Sequence, residues 1–126
     1  MSMDWTELKL FKGIDLNDSF VLNWTHIDDQ LTFELEASVW PESLYYSTPK
    51  ANEYTCYRKA VLKFANTQKI SGLNSMDSVQ STTDLDGSKD YGNIDTLCQT
   101  ESGFNLSGDF GSVTIQGGEL SFEVHT

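Results

Sequence analysis

The densest run of potential ligand oxygens is Thr82-Thr83-Asp84-Leu85-Asp86-Gly87-Ser88-Lys89-Asp90-Tyr91-Gly92. Asp84, Asp86, Ser88 and Asp90 present oxygens at alternate positions and Gly87 permits a sharp turn, a set that suits a hard cation such as Ca²⁺. The spacing departs from the EF-hand loop, because glycine falls at loop position 4 instead of 6 and no bidentate Glu stands at position 12. Lys89 would also put a positive charge inside the cage. Asp and Gly are equally the residues of a solvated hairpin turn, and that is the expectation here, with no metal or other cofactor.

Two histidines and two cysteines complete the nucleophile and soft-ligand inventory. His26, Cys56, Cys98 and His125 are far apart in sequence and have no local zinc-ligand spacing. A Cys–His nucleophile pair would depend wholly on the fold. Surface imidazoles and buried thiols are the plainer expectation, with a Cys56–Cys98 disulfide as the alternative. Carboxylate pairs are plentiful at Asp28/Asp29, Glu34/Glu36 and Asp84/Asp86. Acid–base catalysis needs an environment that separates the two pKa values, whereas a wet strand face keeps both groups ionised. The chain has no GxSxG, HExxH, GxGxxG or Walker-type glycine loop. The chemistry-bearing residues thus point away from catalysis.

Aromatic residues form a different kind of candidate. Trp40, Tyr45, Tyr46, Tyr54 and Tyr57 gather in and around a loop that contains Pro41 and Pro49. Tyr and Trp suit positions with one buried and one wet end, as at protein interfaces. The same rings could instead form a small core beneath the loop. Together with Asp84, Asp86 and Asp90 they are the candidate binding residues.

The elements that must position these groups are β-strands. Leu31, Phe33, Leu35, Ala37 and Val39 alternate with Thr32, Glu34, Glu36 and Ser38, which predicts an antiparallel strand with one wet face. Phe20 to Ile27 should pair with it through the turn at Asp28-Asp29-Gln30. A strand from about Tyr54 to Ala65 puts Ala60, Leu62 and Phe64 on one face and Lys59 and Lys63 on the other. A turn at Asn66-Thr67-Gln68 then leads into Lys69 to Met76, with a bulge near Gly72 where the parity slips. Further strands are expected at Ile94 to Gln99, Phe104 to Phe110, Ser112 to Gln116 and Leu120 to Val124, with Gly117-Gly118 as a turn. Asp4 to Phe11 is the one predicted helix: Asp4 and Glu7 fit a capping box, and Trp5, Leu8 and Phe11 recur at helical spacing. Long loops remain at Trp40 to Glu53 and Val79 to Asn93. The predicted fold is mainly β, an antiparallel sandwich or partly closed barrel of seven to eight strands with one short N-terminal helix, in a single domain over residues 1–126.

Charge bounds the partners. The 8 Lys and Arg face 19 Asp and Glu, for a formal charge of −11. This disfavours nucleic acid, whose phosphates need clustered cations, and an anionic membrane surface. A basic protein partner is the complementary expectation. The N-terminus carries no basic start followed by an apolar run, so a cytoplasmic location is expected.

Asp18-Ser19-Phe20-Val21-Leu22-Asn23-Trp24, then Leu31-Thr32-Phe33-Glu34-Leu35, and later Ala60-Val61-Leu62-Lys63-Phe64 before Lys69-Ile70, carry a family likeness. This part of the chain resembles the small β-rich immunity proteins of bacterial polymorphic toxin systems. In that group a D-S-x-V opening, an L-x-F-x-L strand and an L-x-F strand recur in the same order. The similarity covers residues 15 to 73 and leaves out the glycine-rich Gly103 to Gly118. It implies a cytoplasmic bacterial protein that neutralises a toxin, and it carries over no binding residue. The expected function is a non-catalytic acidic binding or inhibitor protein. The alternatives are a small hydrolase assembled from distant residues, or a carrier whose barrel mouth is lined by Trp24, Trp40, Tyr45 and Tyr57.

Overall fold

The computed structural model describes residues 2–43, 45–46, 56–79, 81–83 and 89–125. Its strands are β1 (Met3–Asp4), β2 (Ile14–Ile27), β3 (Gln30–Val39), β4 (Cys56–Leu73), β5 (Thr82–Thr83), β6 (Lys89–Asp90), β7 (Ile94–Gln99), β8 (Gly103–Gly108) and β9 (Gly111–Val124). Seven of them form one antiparallel sheet in the order β1-β7-β8-β9-β4-β3-β2, and β5 and β6 form a separate two-stranded ribbon. The mainly antiparallel β reading holds. The large sheet is a single open ladder.

Alternation in β3 works as its sequence predicts. Leu31, Phe33, Leu35, Ala37 and Val39 are all fully buried. The β2–β3 hairpin turns through Asp28 and Asp29, with Ile27 opposite Gln30 and Asp28 in the left-handed region at φ 55°. On β4, Ala60, Leu62 and Phe64 are buried while Lys59 and Lys63 lie on the wetter face. The slip near Gly72 is also present, as a register shift between Ser71 and Leu73.

Two predicted turns are bends within strands. Asn66-Thr67-Gln68 does not end a strand, because β4 runs unbroken from Cys56 to Leu73. Gly117-Gly118 likewise lies inside β9. Asn66 sits at φ 57°, and Gly117 and Gly118 at φ 68° and 97°. The ladder shifts register between Thr67 and Lys69 opposite these glycines. Both strands thus bend at the same level and stay paired through it.

The predicted N-terminal helix is replaced by two 3-10 turns, Trp5–Glu7 and Lys9–Phe11. The capping box between Asp4 and Glu7 forms as expected. Leu8, however, is extended at φ −89°, ψ 125° and separates the turns. On a continuous helix Trp5 and Phe11 would point about 120° apart. The break lets both rings reach the core, where they meet edge-on at 6.4 Å and Phe11 packs on Phe122 at 5.1 Å. An element this short gains more from that burial than from helix propagation.

The sheet curls around an aromatic core. Phe110, in the β8–β9 turn, lies 4.9 Å from Phe33 on β3 and 6.0 Å from Trp24 on β2. Phe64 on β4 meets Phe104 on β8 at 5.2 Å. Curling brings β2 back toward the segment before β7. The Val21 N–H donates to Gly92 O, the Tyr91 N–H donates to Val21 O, and Phe20 bridges Asn93. Side-chain amides reinforce this seam: Asn17 donates to the carbonyls of Ile94 and Asp95, and Asn93 donates to that of Ser19.

At the seam β2 carries an irregularity. Asp15 stands opposite Ser38 and Phe20 opposite Glu36, so four β2 residues face one on β3. The fully buried Ser19 hydroxyl stitches it, donating to Asp15 O at 2.7 Å and accepting from the Ser38 N–H at 3.0 Å. The Ser38 hydroxyl is buried with no hydrogen-bond partner among the described residues. Ser19→Ala is expected to cost about 1–3 kcal/mol, because it strands the buried Ser38 N–H and the part-buried Asp15 carbonyl. Ser38→Ala should change stability by no more than about 0.5 kcal/mol, or raise it, since it removes a hydroxyl with no partner among the described residues. Urea unfolding of the two variants beside the parent measures the difference.

Candidate functional site

The candidate binding residues do not form one cluster. Trp40 follows β3 in a turn, its N–H donating to Gly13 O, and is 44% exposed. It borders a depression of about 300 Å³ with Trp5, Phe11, Ile14 and Glu42. Tyr45 and Tyr46 follow at 42% and 38% exposed. Tyr57 has a different setting, half-buried on β4 with its ring 5.6 Å from Phe20 and its hydroxyl donating to Asp18 Oδ2 at 3.3 Å. Asp90, on β6, accepts from the Gly92 N–H and so braces the turn that leads to the seam. Tyr54, Asp84 and Asp86 lie outside the described residues. On either side of residues 84–88, Thr82 pairs with Asp90 and Thr83 with Lys89.

Trp24, expected at a carrier mouth, is only 5% exposed. It packs edge-on against Tyr91 at 5.3 Å, and its indole N–H donates to Asn74 O at 2.9 Å. Cys56 is buried, Cys98 is half-buried, and the two are not joined. Among the described residues no three of His, Cys, Asp and Glu converge as metal ligands would.

A surface that sequence reasoning did not single out is the outer face of β2, β3, β4 and β9. Pairing aligns Asn23, Glu34, Val61 and Glu123 in one row across the four strands. The next row sets Phe20 beside Glu36 and Lys59. Glu119 lies opposite Ala65 further along β9. Neighbouring side chains in such rows stand roughly 4.5–5.5 Å apart at Cβ, so Glu34 and Glu123 flank Val61 on both sides. Leu22, Glu34, Lys59, Val61 and His125 line a depression of about 250 Å³ on this face. Asn23 donates to Glu34 Oε2 at 2.6 Å and holds that carboxylate in place. The arrangement is an apolar floor rimmed by Glu34, Lys59 and His125, with Glu123 beside Val61 on β9. Alternation had put Glu34, Glu36, Glu119 and Glu123 on wet faces, but only strand order shows that these faces adjoin.

No family model, curated protein or solved structure matches the chain.

Proposed function

We propose that the protein is a non-catalytic binding protein whose acidic face receives a basic protein partner, as an inhibitor or immunity protein of a basic toxin or enzyme would. In this reading the curled sheet acts as a partly closed barrel, a stiff frame that holds the face in shape. The carrying observation is the pair Glu34 and Glu123 on either side of Val61, beside the depression that Leu22 and Val61 help to line. A lysine or arginine suits such a place, laying its aliphatic stem on the floor while its charge meets the carboxylates. The overall charge of −11 adds long-range attraction for a cationic partner.

The test combines capture and kinetics. The tagged protein is used to capture partners from its source cell, and association with any basic protein retained is timed at several salt concentrations. Glu34→Lys with Glu123→Lys should slow association about tenfold or more and flatten its salt dependence. Asp95→Lys, at an exposed position on β7 outside the β2-β3-β4-β9 rows, should do little. Recovery of no basic protein, or rates indifferent to the double reversal, overturns the reading.

A further inference from the structure

We infer that His125 makes the acidic face sensitive to pH, so that a basic partner held at neutral pH is loosened when the imidazole takes up a proton. The inference rests on the acidic-face reading for the partner's charge and goes beyond it in naming how that contact is regulated.

The sheet itself places His125. Its N–H donates to Lys59 O at 2.8 Å, one residue past the pairing of Val124 with Ala60. This bond carries the β4–β9 register one step further and sets His125 opposite Lys59, which stands opposite Glu36 on its other side. His125 thus ends the row of Phe20, Glu36 and Lys59, next to the row of Glu34, Val61 and Glu123. Alternation gives His125 and Glu123 the same face, about 7 Å apart along the chain. His125 and Glu34 line the same depression, and His125 is exposed, so a cation seated against Glu34 has the imidazole as a neighbour.

The charges around His125 come from three strands. β3 brings Glu34 and Glu36, β4 brings Lys59, and β9 brings Glu123. β2 brings Leu22 and Asn23, which do not titrate. Beside a neutral imidazole, these three carboxylates outnumber the one ammonium by two charges; beside an imidazolium the surplus is one. Histidine is the side chain whose charge ordinarily changes between about pH 5 and 8, a range in which carboxylates and ammonium groups ordinarily keep theirs. Protonated His125 acts twice against a basic partner: it repels the arriving cation and it offers Glu34 a cation from within the chain. By linkage, a bound cation disfavours the imidazolium, so binding releases protons and acid weakens binding. The other histidine, His26, lines a separate groove with Trp24 and Met76.

The probe is hexalysine, acetylated at its N-terminus and labelled with rhodamine, whose charge is constant between about pH 5.5 and 7.5. Binding to the full chain is followed by fluorescence anisotropy at low salt, where surface charges are least screened. Affinity should fall about three- to fivefold from pH 7.5 to 5.5, the weight of one charge at this distance on a wet surface. His125→Gln should match the parent at pH 7.5 and lose the fall. His125→Lys, charged at every pH, should bind about three- to fivefold more weakly than the parent at pH 7.5 and also show no fall. His26→Gln should keep it. Glu34→Lys with Glu123→Lys should weaken binding about tenfold at pH 7.5, which ties the probe to this face. Given that weakening, a fall that survives His125→Gln, or a parent that binds equally at both pH values, overturns the pH coupling and leaves the acidic-face reading standing. Absence of binding at pH 7.5, or binding indifferent to the double reversal, overturns both.

Discussion

Gly72→Ala is expected to lower stability by about 3–5 kcal/mol, enough to drop the melting temperature by roughly 10 °C or more. Gly72 sits at φ +89°, a conformation L side chains rarely adopt. A Cβ there would run into the carbonyl oxygen of Ser112 on β9 and come within 3.0 Å of its carbonyl carbon. That obstacle is backbone in a paired strand and has nowhere to retreat. The register shift between Ser71 and Leu73 would have to be rebuilt, with the pairing of Leu73 to Gly111 beyond it. Gly117→Ala supplies the comparison. Its φ of +68° also carries strain, but its Cβ would meet the Gln68 side chain at 3.0 Å, which can swing aside. A loss of about 1 kcal/mol is expected there. Thermal melts of the two alanine variants distinguish a backbone collision from left-handed strain alone.

Phe33→Ala should cost about 3–5 kcal/mol, the range for removing a fully buried aromatic side chain. Phe33 has no exposed surface and lies 4.9 Å from Phe110 and 6.3 Å from Trp24. These neighbours come from the β8–β9 turn and from β2, so the cavity would open where the curled sheet meets itself. Trp24 is further held by its indole bond to Asn74 O, which limits how far it can move to fill the space. Urea unfolding gives the energy. Tryptophan emission of the folded variant should shift as Trp24 loses a ring neighbour. A loss below about 1 kcal/mol would mean that the core collapses around the gap.

What could be read from the sequence depended on how local its cause was. The faces of β3 follow from a period of two that Leu31 through Val39 display without interruption, and the inner row of β4 follows likewise from Ala60, Leu62 and Phe64. The Asp28-Asp29 turn is equally local. Asn66-Thr67-Gln68 and Gly117-Gly118 have the composition of turns, and whether they reverse the chain or bend it is settled by the strand opposite. Trp5 and Phe11 match a helix in spacing, yet the core that both rings seek is built from β4, β9 and their neighbours. The candidate site shows the same limit. The wet positions of Glu34 and Glu123 were legible one strand at a time, but their closeness requires β9 to lie beside β4. Tyr57 was assigned to the loop aromatics by proximity in sequence, whereas its ring packs on Phe20 of β2.

The strand order also bears on how the chain is made. β4 is sandwiched between β3 and β9, and β9 leaves the ribosome after every other strand of the sheet. Until then β2, β3 and β4 can form a nascent meander whose outer border is β4, the longest strand among the described residues. Its Leu62 and Phe64 side chains stay only partly covered through that interval, together with a full row of unpaired amides. The growing polypeptide is most open to mispairing then, and arrival of the final strand closes that window.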